Sequence, residues 1–136
     1  MAKTKAFEIA ELIRHLRYDA DTDEIVTDKV TQDKNKKRGN ATKTSTDEFA
    51  LDTFAKSDYR AGRYIVAMSE GSKYHSTEIV LVHDGSSVTM TQYGTLKSHS
   101  LATFDADISG SDVRLLVTPA STSSTVIKFD RTVVEA

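Results

Sequence analysis

Residues 74–93 read YHSTEIVLVHDGSSVTMTQY, and this stretch decides the fold. β-Branched and aromatic residues recur at period two on both sides of Asp84-Gly85, the pattern of half-buried strands and not of a helix. Asp and Gly take positive φ with little strain, so Asp84-Gly85 predicts a two-residue hairpin joining Tyr74–Asp84 to Ser87–Tyr93. The same alternation continues outward through Gly62–Ser69, Leu101–Ile108, Asp112–Thr118 and Thr125–Val134. Glu70-Gly71-Ser72, Ser109-Gly110-Ser111 and Pro119-Ala120 supply the turns between them. Consecutive short strands with tight turns predict an all-β fold, an antiparallel β-sandwich or barrel-like module. Strand alternation places Phe104, Leu115, Val117, Ile127 and Phe129 inward.

A chain of 136 residues supports one domain with room for an appended arm, and folding at this size buries roughly two-thirds of the unfolded surface. With 38% hydrophobic but only 7% aromatic residues and no Trp, the core is expected to be thin and aliphatic. The absence of cysteine removes disulfides, thiolate metal sites and Cys nucleophiles together. A net charge of -2 gives no general attraction to nucleic acid, so none is expected as a partner. No apolar run approaches membrane-spanning length, and Glu8, Glu11 and Arg14 interrupt the only candidate leader, which predicts synthesis in a cytoplasm and no membrane partner. Asn40-Ala41-Thr42 matches a glycosylation sequon but reads as a loop.

The sequence ahead of the strands differs in kind. Ala6, Ile9, Leu12, Ile13 and Leu16 recur at helical spacing with Glu8, Glu11, Arg14 and His15 opposite, predicting an amphipathic helix over Lys5–Arg17 capped by Thr4. Three turns do not persist alone in water, so the stripe Ile9, Leu12, Ile13 and Leu16 is expected to dock, and it is the candidate assembly interface of a homo-oligomer. Asp19, Asp21, Asp23 and Glu24 form an acidic cluster, Ile25-Val26-Thr27 makes one short strand at most, and Lys34–Lys43 is basic without periodicity. Residues 1–48 therefore read as helix and arm, and residues 49–136 as the β-module, with Phe49, Leu51 and Phe54 forming its first strand or covering one end of its core.

Chemistry-bearing constellations are weak. Asp105-Ala106-Asp107-Ile108-Ser109-Gly110 imitates the start of a calcium loop, but Leu116 stands where a bidentate Glu is needed. Asp19-Ala20-Asp21-Thr22-Asp23 lacks the turn Gly and ends on Val30. His75 and His83 share a strand face, yet eight residues of strand separate them by roughly 27 Å, too far to share a metal. His83, Asp84 and Ser86 lie too close along one turn to form a nucleophilic triad, and His99 reads as an exposed loop residue. No catalytic, metal-binding or cofactor-binding residue is expected, and the chain is read as a non-enzyme without cofactors. Ser and Thr exceed a fifth of the residues, and Ser87, Thr89 and Thr91 form a hydroxyl ladder opposite Val88 and Met90. Such a face keeps an exposed β-module soluble without sticky edges; the sharper reading is a shallow glycan-contact face, with Tyr64, Tyr74 and Tyr93 as the available aromatic platforms.

The runs Tyr59-Arg60-Ala61-Gly62-Arg63-Tyr64-Ile65-Val66, Glu78-Ile79-Val80-Leu81-Val82-His83-Asp84-Gly85 and Thr91-Gln92-Tyr93-Gly94-Thr95 carry a resemblance. It continues through Leu101-Ala102-Thr103-Phe104-Asp105-Ala106-Asp107-Ile108-Ser109-Gly110 and Val113-Arg114-Leu115-Leu116-Val117-Thr118-Pro119-Ala120. Together they resemble a β-module of virion structural proteins of tailed bacteriophages, especially marine cyanophages. The resemblance implies a virion location and no catalytic residues. It implies a small surface component, head decoration or tail-attached, assembled with other virion proteins through the N-terminal arm. The alternative is a receptor-binding or glycan-binding module of tail-fibre type, with a host surface glycan as partner.

Overall fold

The computed structural model describes residues 34–136 with their side chains and, ahead of them, the backbone of two short strands. Those two, β1 (Leu16–Asp19) and β2 (Glu24–Thr27), form an antiparallel ribbon in a unit of their own, with Leu16 opposite Thr27 and Asp19 opposite Glu24. The expected helix over Lys5–Arg17 lies outside the described residues up to His15, and its last two residues, Leu16 and Arg17, are strand.

The second unit, Lys34–Ala136, is entirely β. Its strands are β3 (Lys36–Lys43), β4 (Phe49–Ala55), β5 (Tyr59–Glu70), β6 (Lys73–His83), β7 (Val88–Lys97), β8 (Ala102–Ser109), β9 (Asp112–Pro119) and β10 (Thr125–Glu135). They form a five-stranded sheet in the order β3-β10-β5-β6-β7 and a three-stranded sheet in the order β4-β9-β8, with every pairing antiparallel. One core joins them: Tyr64, Val66, Met68, Ile79, Leu81, Ile127, Phe129 and Val133 from the larger sheet meet Phe54, Val113, Leu115 and Val117 from the smaller. Inward residues alternate along β5, β6 and β10, as the period-two pattern requires.

The expected strands and turns from Gly62 onward are present, with ends shifted by up to four residues. The hairpin between β6 and β7 is centred one residue later than expected. Asp84 pairs with Ser87 through its N–H, so Gly85-Ser86 make the corner, and Gly85 takes the positive φ of 96°. Asp84 stays beside the corner because its Oδ1 accepts the backbone N–H groups of Ser86 and Ser87, at 2.8 and 2.7 Å. Those bonds hold its carboxyl below the usual range.

Two expectations are corrected. Lys36–Lys43, read as part of an arm, is an edge strand paired with β10 from Lys36↔Thr132 to Lys43↔Thr125, so the β-module starts near residue 34 and not at 49. Its inward positions hide the strand pattern: Gly39 faces Phe129, whose ring occupies the place a side chain at Gly39 would take. Phe104 is only half-buried, packed at the margin of the core, whereas Leu115, Val117, Ile127 and Phe129 are buried as expected. β8 is the edge strand of the smaller sheet, and a residue there has a neighbour strand on one side only.

The core account predicts that Ile127→Ala, at a fully buried site, lowers unfolding free energy by about 2–5 kcal/mol. Phe104→Ala removes a half-buried ring and lowers it by roughly half the 3–5 kcal/mol of a fully buried one. Chemical denaturation of both variants checks this order.

Candidate functional site

Asp52 is the polar centre of the unit. Strict alternation from Phe49 and Leu51 would turn Asp52 to solvent, but β4 carries a bulge: Ala50 pairs with Leu116 and Asp52 with Leu115, leaving Leu51 as the extra residue. A bulge reverses the alternation beyond it. Phe49, Asp52 and Phe54 all pair with the inward residues Val117, Leu115 and Val113, and the Asp52 side chain is fully buried.

Three strands of the opposite sheet supply its partners. Lys37 Nζ of β3 lies 2.6 Å from Oδ1, while the Tyr64 hydroxyl of β5 and Arg131 Nη1 of β10 donate to Oδ2 at 2.9 and 2.8 Å. Arg131 Nη1 also reaches the Thr53 carbonyl at 3.4 Å. Burial and the neighbouring Asp52 charge push the Tyr64 phenol well above its usual range, so it stays a donor. Both carboxylate oxygens are engaged by donors of the facing sheet, so the group ties the two sheets together.

The histidines are structural in the same way. His75 and His83 both face inward and are buried. His83 Nε2 donates to the Tyr59 carbonyl at 2.7 Å and Nδ1 accepts from the Gly85 N–H at 3.0 Å, which fixes one neutral tautomer. His75 Nδ1 accepts the Leu101 N–H at 3.1 Å, its ring meets Phe104 edge-on, and its Nε2 is buried without a partner. Burial, then the Lys97 charge, holds the His75 pKa below its usual value. In the would-be calcium stretch, Asp107 is held by Arg114 through two bonds of 2.7 and 2.5 Å, and Asp105 accepts its neighbour's N–H from Ala106. Among the described residues no group of three or more His, Asp or Glu is placed to hold a metal ion.

The outer face of the five-stranded sheet carries the exposed chemistry. Every large hydrophobic residue exposed among the described residues lies there: Ile65, Tyr74, Val82, Tyr93, Leu96 and Val134. One row across the sheet runs Arg38, Asp130, Ile65, Glu78, Tyr93, and the next runs Asn40, Lys128, Ala67, Ser76, Leu96. Arg63 and Glu78 form an ion pair at 2.9 Å, and hydrogen bonds from Arg63 and then Tyr93 lower the Glu78 pKa. Ser87, Thr89 and Thr91 are exposed while Val88 and Met90 turn to the core, as the hydroxyl ladder requires. Of the three tyrosines expected as platforms, Tyr74 and Tyr93 are exposed on this face, but Tyr64 is fully buried against Asp52. The free edges are β3, which presents Lys36, Lys37 and Arg38, and β7, broken by a register shift and by Gly94 at φ 60°. Charges and bulges of this kind discourage edge-to-edge pairing. Of the candidate assembly residues, Ile9, Leu12 and Ile13 lie outside the described residues, and Leu16 is in β1.

No family model and no curated protein matches the sequence. Among solved structures, the chain is similar to the tailspike protein of Acinetobacter phage vB_ApiP_P1, with 17% identity, a TM-score of 0.50, and coverage of 82% of this chain and 24% of that one. The tailspike of Acinetobacter baumannii phage AM24 matches at 9% identity and TM-score 0.40, covering 75% of this chain and 26% of that one. The tailspike gp49 of Acinetobacter baumannii bacteriophage Fri1, a capsular polysaccharide depolymerase, matches at 13% and 0.30, with coverage of 74% and 20%. The chain thus spans about a quarter of the length of these proteins, and the first of them shares its fold.

Two outcomes follow from the buried polar groups. Asp52→Asn leaves Lys37 and Arg131 without their counter-ion and lowers stability by about 3–5 kcal/mol, while the exposed Asp105→Asn stays within about 0.5 kcal/mol, both read by denaturant unfolding. For His75 the folded pKa is depressed, so below about pH 6.5 the unfolded chain binds the extra proton first. This contribution to stability is complete above that pH and is lost as pH falls through the depressed pKa. Melting curves against pH should show that loss in the native protein and a flatter profile in His75→Phe.

Proposed function

We propose that this chain is a non-enzymatic structural module of a tailed-phage virion, carried on the tail. The observation that supports it most is the shared fold with the vB_ApiP_P1 tailspike, which extends over 82% of this chain. A fold does not specify an activity, so the reading rests on what this chain's own residues are built to do. Its buried polar groups are committed to holding strands, and its exposed groups form a broad face of tyrosines, aliphatics, hydroxyls and paired charges. That is the surface of a scaffold or contact module. Of the two particle positions considered, head decoration and tail attachment, the tailspike likeness favours the tail. On this reading the protein is made in the host cytoplasm, joins the virion beside other virion proteins and copies of itself, and is attached through its N-terminal segment, where Ile9, Leu12, Ile13 and Leu16 supply the apolar contact.

A second reading, a receptor-binding or glycan-binding module of the tail, is favoured by one specific observation. Tyr74 and Tyr93 stand exposed on the same sheet face as the hydroxyls of Thr89 and Thr91, which pairs ring platforms with hydrogen-bonding groups.

Electron microscopy of intact particles labelled with antibody raised against residues 34–136 tests the main reading. Label at the tail is expected, and a particle carrying Ile13→Glu should lose it while the isolated variant keeps its β-sheet circular dichroism. Label confined to the head, or absent from particles, overturns the tail assignment. Undiminished label in the Ile13→Glu particle overturns the attachment through the apolar stripe.

A further inference from the structure

In the two larger sheets of the described residues, four strands are edges: β3 and β7 in one sheet, β4 and β8 in the other. Three of them are guarded against pairing with a second copy of the chain. β3 carries Lys36, Lys37 and Arg38, and β8 carries Asp105 and Asp107, so like charges meet when either strand pairs with its own copy. β4 is bent by the bulge at Leu51. β7 has neither defence over Val88–Tyr93. Val88-Thr89-Met90-Thr91-Gln92-Tyr93 holds no charge, no Pro and no Gly, and its register against β6 is regular from Val88↔His83 to Tyr93↔Glu78. The register shift and Gly94 come only after Tyr93 and end the run. An uncharged edge of this kind is a template for another strand.

Parity fixes which backbone groups are free. Asp84 and Ser87 close the hairpin as a hydrogen-bonded pair, and bonded and non-bonded pairs alternate up the ladder from there. Thr89, Thr91 and Tyr93 therefore spend their N–H and C=O groups on β6, whereas those of Val88, Met90 and Gln92 point to the open edge. Two copies meeting antiparallel about a two-fold axis at Met90 use all of these groups. Met90 then stands opposite Met90 of the other copy, and each Val88 opposite the other copy's Gln92, which gives three bonded pairs and about six hydrogen bonds. Between them each Thr89 falls opposite the other copy's Thr91 at the closer, non-bonded spacing, where paired threonines are favourable. No charged side chain is drawn into the contact.

We infer that the β7 edge is a self-pairing site, at which two copies of this chain join their five-stranded sheets into one continuous sheet. The inference stands apart from the particle assignment and from the apolar stripe proposed for attachment. It sets the Thr89 and Thr91 hydroxyls of both copies at the centre of one outer face, with a Tyr93 on either side.

Sedimentation of the full chain carrying Ile13→Glu, which removes the stripe as a second contact, tests it. A reversible dimer is expected. Adding Gln92→Pro deletes an N–H that faces the open edge and leaves the ladder to β6 intact, while adding Thr91→Lys sets like charges beside the axis. Each should weaken the dimer at least about tenfold and keep the native β-sheet circular dichroism. The chain has no cysteine, so single substitutions report the register. A mixture of Thr89→Cys and Thr91→Cys chains should form an interchain disulfide on oxidation, because non-bonded partners lie about 4.5 Å apart at Cα. Thr42→Cys, exposed on the β3 edge, should not. A monomer even at millimolar concentration, or an undiminished dimer in both edge variants, overturns self-pairing at β7. A dimer without the disulfide in the mixture overturns the register about Met90. A monomer whose Gln92→Pro variant is lost from particles overturns self-pairing and gives the edge to a different virion protein.

Discussion

A single carboxylate has to be satisfied inside an aliphatic core, and much of the described unit is arranged around that requirement. Asp52 has no access to water, so its charge is tolerable only where donors surround it. Those donors come from three adjacent strands of the facing sheet, Lys37 on β3, Arg131 on β10 and Tyr64 on β5. Sliding any of the three by one residue would send its donor to the opposite face, because side chains alternate along a strand. The hydrophobic core favours burial in general, whereas Asp52 selects one register. The aromatic contact of Tyr64 with Phe129, ring centres 5.9 Å apart, links this polar group to the packing around it.

The rest of the architecture follows from a small core with few rings. Two sheets of unequal size leave the outer face of the larger one broad and accessible, and that is where the exposed tyrosines and aliphatic residues collect. The loop from β7 to β8 is fixed by its backbone N–H groups on the first residues of β6: Ser98 N–H donates to the Tyr74 carbonyl, and Leu101 N–H to the His75 ring Nδ1. Structural side chains and presenting surface are therefore kept apart, with His75, His83 and Asp52 inside and the hydroxyls and paired charges outside.

Sequence periodicity disclosed the strands from β5 to β10, most plainly β5, β6 and β10, which bury one face and alternate cleanly, and Gly71, Gly85 and Gly110 marked the turns through their positive φ. It concealed β3, since Lys37, Gly39, Ala41 and Lys43 occupy the inward positions where apolar residues are normally sought. Phe129 supplies the missing bulk above Gly39 from the neighbouring strand, which no reading of Lys36–Lys43 alone can reveal. Asp52 was hidden by the bulge at Leu51, which changes the parity of β4. The one available signal was Phe54, an apolar residue out of phase with Phe49 and Leu51. Tyr64 passed for a surface platform because a tyrosine fits either environment, and its burial depends on a carboxylate twelve residues away. The hydroxyl ladder of β7 was readable because an edge strand keeps simple alternation at its first turn, between Ser87 and Thr91.

The proposed role on a phage tail uses this division of labour, a register-locked interior supporting a wide contact face. Its physical basis is the coupling between Asp52 and Arg131 across the two sheets. A double-mutant cycle on Asp52→Asn and Arg131→Met, read by denaturant unfolding, measures that coupling directly. The account predicts an interaction of about 2–3 kcal/mol. Additive effects, with a coupling below about 0.5 kcal/mol, would contradict it.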